Sequence, residues 1–134
     1  MSAIAPAATL PAALAVCAGA SAGALLRWRL TAWLNPTHAW LPWGTLLANW
    51  CAAWLIGLAV GAVVHWNIGE PWRALVITGF LGALSTLSTF SIEVLGLLLT
   101  HRPWHAALLA LLHIGGCLLL AWGGLRCIPG GVTP

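Results

Sequence analysis

The sequence predicts an all-α integral membrane protein, a single domain over residues 1–134 with four transmembrane helices per protomer. Three observations carry this reading. Hydrophobic residues make up 61% of the chain, charged residues only 5%, and mean hydropathy is +0.97, far from the composition of soluble domains. Five Arg, two Glu and neither Lys nor Asp are too few ionic groups to cover a water-facing globule. Finally, apolar stretches long enough to cross a hydrocarbon core, about 20 residues each, alternate with helix breakers. The same composition excludes a soluble enzyme and a disordered tail. It leaves no nucleic-acid partner either, because the Arg residues are scattered rather than gathered into a basic patch.

The first span covers residues 10–30 and closes with Arg27 and Arg29. Before it, the Ala/Pro-rich start has no basic segment, so no cleaved signal peptide is expected. Asn35-Pro36-Thr37-His38 and Leu41-Pro42-Trp43 form the next turn, and a second span follows over residues 44–65. Trp66-Asn67-Ile68-Gly69-Glu70-Pro71 is a short polar loop with helix-stopping Gly and Pro. The third span, residues 72–100, is too long for one plain helix. After His101-Arg102-Pro103 a fourth span runs over residues 104–125 and gives way to a Pro/Gly tail. An even number of crossings places both termini on one side.

Trp33, Trp40, Trp43, Trp66, Trp72, Trp104 and Trp122 lie near span ends, where an amphipathic indole sits at headgroup level. Arg73 and Arg126 fall on the side of the termini, Arg27, Arg29 and Arg102 on the other. That balance gives no positive-inside bias, so insertion both ways and insertion directed by the first helix both stay open. Small-residue rows suit close helix contacts: Gly19 and Gly23, then Ala53, Gly57 and Gly61, then Gly115-Gly116 and Gly123-Gly124. Cys17, Cys51, Cys117 and Cys127 show no paired metal spacing and read as small apolar residues.

The chemistry is concentrated in the third span. Gly79 to Glu93 holds two Gly, the hydroxyls of Ser85, Thr86, Ser88, Thr89 and Ser91, and a carboxylate. Polar groups at membrane depth are costly unless they meet protein, water or ions. Gly79 and Gly82 weaken the helix where the hydroxyl cluster starts, so a break near the midplane is expected there. Carbonyls freed by a break suit a cation. Hydroxyls can also satisfy themselves on their own helix, a reading that holds for one or two of them more readily than for five. On a resumed helix Thr86, Phe90 and Glu93 share a face, with Thr89 beside them. In the second span Thr45 and Asn49 stand one turn apart, and the Asn49 amide offers donors to an anion or glue between helices. His113 sits mid-span, either a satisfied buried imidazole or a donor facing an anion.

Gly44-Thr-Leu-x-x-Asn49, then Gly79-Phe-x-Gly82-x-x-Ser85-Thr86-x-Ser88-Thr89-Phe90-Ser91-x-Glu93, with Gly23-Ala24-x-x-Arg27 upstream, resembles the Fluc (CrcB) family of fluoride channels over the whole chain. The resemblance implies an antiparallel dual-topology homodimer with two fluoride pores, multi-pass in the inner (plasma) membrane of a bacterium and surrounded by membrane lipid. It implies a structural sodium ion held by the backbone carbonyls of Gly82 and Ser85 from each subunit. It places Asn49, Thr86, Ser88, Thr89 and Phe90 along the fluoride pore and Arg27 at a vestibule or dimer contact. The family's two pore phenylalanines fall on Leu87 and Phe90, so one ring is missing. The Tyr and Ser of the family's fourth helix give way to residues such as Leu109 and His113.

Two other readings compete with a channel. A small multidrug antiporter shares the size and span count but wants an acid in the first span, which has none. A non-transporting scaffold subunit would use the hydroxyl cluster only to pack helices.

Overall fold

The computed structural model describes residues 9–35 and 40–129. The Pro36-Thr37-His38 part of the first expected turn, the start of the chain and the Pro/Gly tail from residue 130 lie outside the described residues. Among the described residues, four helical passages are long and apolar enough to cross a membrane, and the fold is that of an all-helical integral membrane protein.

Helix α1 (Leu10–Leu34) starts at Thr9, whose hydroxyl accepts the Ala12 N–H, with Pro11 in the first turn, where a missing N–H leaves nothing unpaired. It runs four residues past the expected end, so Arg27 and Arg29 lie inside the helix rather than at its close. Arg29 lies 4.5 Å from the centroid of the Trp33 ring, one turn on, which gives the guanidinium an aromatic seat near the helix end. Helix α2 (Trp43–Trp66) follows Pro42 and stops at Asn67, which takes the left-handed conformation (φ 51°) that Asn tolerates at a helix end.

The third passage is divided. A π-helical segment (Ala74–Leu81) leads into a single turn, α3 (Gly82–Leu84). Ser85 and Thr86 are extended, and α4 (Leu87–Leu99) follows. Gly82 itself stays helical (φ −62°, ψ −35°), so the helix leaves its path three residues later than the glycines suggest. Gly79 acts as a contact residue instead: a Cβ there would lie 2.7 Å from the Val16 carbonyl oxygen of α1. Helix α5 (Pro103–Arg126) is the last helix among the described residues, again with Pro in its first turn.

The tightest pairings are α2 with α5 and α1 with the π-helical segment. Both depend on glycine. A Cβ on Gly57 would strike the Ala121 carbonyl of α5, and one on Gly124 would come 3.1 Å from the Leu58 nitrogen of α2, so the two backbones touch along that seam. Gly19 and Gly23 make the same approach to Leu75 and Phe80. Lipid tails are as apolar as leucine, so close backbone packing must supply what hydrophobic burial supplies in water. Gly115, by contrast, meets only Leu111 of its own helix. Buried side chains form two small clusters. Leu41, Leu46, Leu97, Ala106 and Leu109 fill one, and Ala48, Ala52, Leu81 and Leu84 fill the other beneath the break. Most of the remaining leucines face outward.

Candidate functional site

The extended pair Ser85–Thr86 is held open by Asn49. The Thr86 N–H donates to Asn49 Oδ1 at 2.7 Å, and Asn49 Nδ2 donates to the Thr86 carbonyl at 3.1 Å. Both residues are buried. A side-chain amide has the donor and acceptor spacing of a peptide group, so one Asn replaces both the N–H and the C=O partners that Thr86 loses on leaving the helix. Asn49 is therefore glue between α2 and the break, and its second amide N–H is left for another acceptor.

That exchange frees carbonyls upstream. In an unbroken helix the Thr86 N–H would pair with the Gly82 carbonyl and the Thr89 N–H with that of Ser85. Here the first goes to Asn49 and the second to Thr86 Oγ1 at 3.3 Å, which caps α4. Ser85 N–H still reaches Leu81, and the Ala83 carbonyl accepts Arg27 Nε at 3.0 Å. Gly82 and Ser85 are exposed on the protomer surface, so their diverted carbonyls offer hard oxygen ligands on an open face. Arg27, expected at a vestibule or dimer contact, donates to the break itself, a link across 56 residues.

A cleft of about 340 Å³ opens beside the break between α2, α4 and α5. Asn49, Ser85 and Thr86 supply its polar wall, and Phe90 and His113 face each other with ring centroids 4.6 Å apart. Leu87 lines the same cleft but is 75% exposed. Thr86 Oγ1 donates to Thr89 Oγ1 at 3.0 Å and lies 3.3 Å from Ser88 Oγ, so three hydroxyls of the cluster are joined. Ser91 turns back to the Leu87 carbonyl of its own helix, the local satisfaction open to any helical Ser.

The expected single stripe of Thr86, Phe90 and Glu93 is divided. Thr86 and Phe90 face the cleft, while Glu93 points to the junction of α1 and α2. Its Oε1 accepts Thr45 Oγ1 at 2.6 Å and lies 3.5 Å from Asn35 Nδ2; Oε2 is buried without a partner. Asn35 Oδ1 accepts the N–H groups of Gly44 and Thr45 at 2.7 and 3.3 Å, satisfying donors that a helix start leaves open. Asn35 is hidden in the sequence, because it lies in a turn and its partners are nine, ten and 58 residues away.

Compared with known proteins, residues 14–125 match the family described as CrcB-like protein, Camphor Resistance (CrcB). Among similar proteins is the fluoride-specific ion channel FluC of Variovorax paradoxus, 46% identical over 86% of this chain and 92% of the relative. Proteins with the same name from Albidiferax ferrireducens and Cupriavidus necator are each 49% identical. They align over 84% of this chain and cover 87% and 90% of their own lengths.

Proposed function

Because the chain belongs to the CrcB-like family, we propose that it is a fluoride-specific ion channel, not an enzyme, through which the anion leaves the cell passively and fluoride toxicity is relieved. The observation that carries this is the cleft, where hydrogen-bond donors and an aromatic ring meet at a helix break. HF crosses lipid from acid surroundings, dissociates inside and leaves fluoride trapped. Fluoride then needs only a selective path down its gradient. Asn49 offers the anion its remaining amide N–H; the Thr86 hydroxyl proton is spent on Thr89 Oγ1 and Ser88 Oγ leans on Thr86, so of the three joined hydroxyls that of Thr89 is the one left to donate. The Phe90 ring presents an edge of positive quadrupole to a small anion. The antiporter reading lacks its acid: α1 carries no acidic residue.

The functional unit in this reading is an antiparallel homodimer of inverted protomers in the inner membrane of a bacterium. The near-even Arg balance supports it, as does the exposure of Gly82, Ser85 and Leu87 on a face that a second copy would cover. The residues present fit a structural sodium ion on that face. The diverted carbonyls of Gly82 and Ser85, two from each subunit, would hold it, and small hard cations prefer oxygen ligands. When bound, the ion supplies a fixed positive charge that favours an anion nearby.

The test of function is efflux from liposomes loaded with fluoride or chloride. Rapid fluoride release with chloride retained is expected; no release above protein-free liposomes would end the channel reading. For topology, single-Cys variants at Glu70 in a background without the four native cysteines should label from both sides of the membrane. Labelling from one side only removes the inverted dimer.

A further inference from the structure

Among the described residues, His113 is the one imidazole that lines the cleft, and half of its hydrogen-bonding capacity is unspent. Its Nδ1 lies 3.1 Å from the Leu109 carbonyl one turn back on α5. A carbonyl only accepts, so that nitrogen carries the proton. Nε2, on the far side of the ring from the α5 backbone, is buried with no partner, in a side chain only 3% exposed. Buried polar atoms are nearly always paired, and an orphan beside a binding cleft calls for a guest. The ring packs on Phe90, which holds it in place. A neutral ring bonded to Leu109 presents a bare lone pair at Nε2, which repels an anion. A second proton turns the same atom into a charged donor, the strongest kind of contact for a small anion.

We propose that His113 Nε2 is the anion contact contributed by α5, and that fluoride passes it when the ring is imidazolium, so that conduction rises on acidification. This rests on the channel reading. It gives the cleft that Asn49 lines from α2 a second donor from α5 and makes the path most open when acid surroundings load the cell with fluoride. Among the described residues on the packed elements, few titratable groups compete for the ring. On α2, Cys51 is exposed and His65 lies in the last turn; on α4, Glu93 is turned to Thr45. On α5 itself, His105 packs on Trp40, Arg126 lies in the last turn beside Trp122, and Cys117 lines the same cleft one turn from His113.

The experiment measures fluoride efflux from reconstituted liposomes with equal pH on both sides, between about pH 5.5 and 8, the range a histidine titrates. Leak through protein-free liposomes is subtracted at each pH. For the wild type, flux should rise by up to about tenfold per unit fall in pH wherever the ring is mostly neutral. His113→Gln, whose amide is a donor that never titrates, should conduct with a flat profile; His113→Asn serves the same purpose if the Gln variant does not yield dimer. A flat wild-type profile, or a substituted protein that keeps the wild-type slope, overturns the role of His113 while leaving the channel intact. A wild type that passes no fluoride at any pH overturns the channel reading as well.

Discussion

Replacing Asn49 with Ala removes both partners of the Thr86 peptide group at once. The Thr86 N–H and C=O then lose their protein partners in a residue only 6% exposed. Each orphaned group costs about 1–3 kcal/mol, which puts the upper bound near 6 kcal/mol. Hydrogen bonds between membrane helices measure lower, about 0.6–2 kcal/mol each. The cleft also reaches Asn49, so water can replace part of the loss. We therefore expect a destabilisation of about 2–3 kcal/mol, read by reversible unfolding in mixed micelles. Asn49→Asp separates the two bonds, because a carboxylate accepts the 2.7 Å bond from Thr86 N–H but donates nothing to the carbonyl. Its stability should be no higher than that of Ala, because the second carboxylate oxygen takes the place of Nδ2 against the Thr86 carbonyl, where two acceptors repel in a buried site. Its fluoride flux should fall below that of Ala, because the added negative charge repels the anion. An Ala variant as stable as wild type would show that the break does not depend on Asn49 and would refute this account of it.

Phe90→Ile should lower fluoride flux about 2–10-fold more than Leu87→Ile, the factor that a ring interaction of about 0.5–1.5 kcal/mol supplies. Equal losses in efflux, with both variants still dimeric, would count against the ring edge. Gly124→Val should destabilise by about 1–3 kcal/mol or prevent folding, since overpacking a tight seam forces the backbones apart and a Cβ there already meets the Trp54 carbonyl of α2; Gly115→Val, which faces only its own Leu111, is the tolerant control. On the proposed ligation by main-chain oxygen, Ser85→Ala should keep bound sodium, and a flux that survives exhaustive replacement of sodium would argue against the ion. Gly82→Ala is expected to fold, since a Cβ there sits 3.6 Å from the Ile77 oxygen, an ordinary contact.

The four passages were legible because each is set by local quantities: run length, hydropathy and the position of Pro, Gly and Asn. Their ends were less so. Residues Thr31 to Leu34 are polar and aromatic as well as apolar, yet they continue α1, because a helix can outlast its hydrophobic stretch at the headgroup level. Local propensity puts the break at the glycines nearest the hydroxyls. Its position instead follows from a side chain 37 residues away, Asn49, which no local pattern encodes. Gly79 carries no conformational message at all; it makes room for α1. The polar stripe failed for the same reason. Helical spacing says which residues share a face of α4, but not that Glu93, near the far end of that face, finds Thr45 and Asn35 before it reaches the cleft.

The glycine seams divide the chain into positions of unequal evolutionary freedom. Where backbone meets backbone, at Gly19 and Gly23 or Gly57 and Gly124, no larger residue can be sampled without moving two helices. Outward leucines such as Leu111, Leu118 and Leu119 need only dissolve in acyl chains, and any apolar neighbour in the genetic code will do. Lineages should therefore drift quickly over most of the surface while two narrow tracks stay still. Overall identity between distant relatives would then understate how closely their backbones superpose.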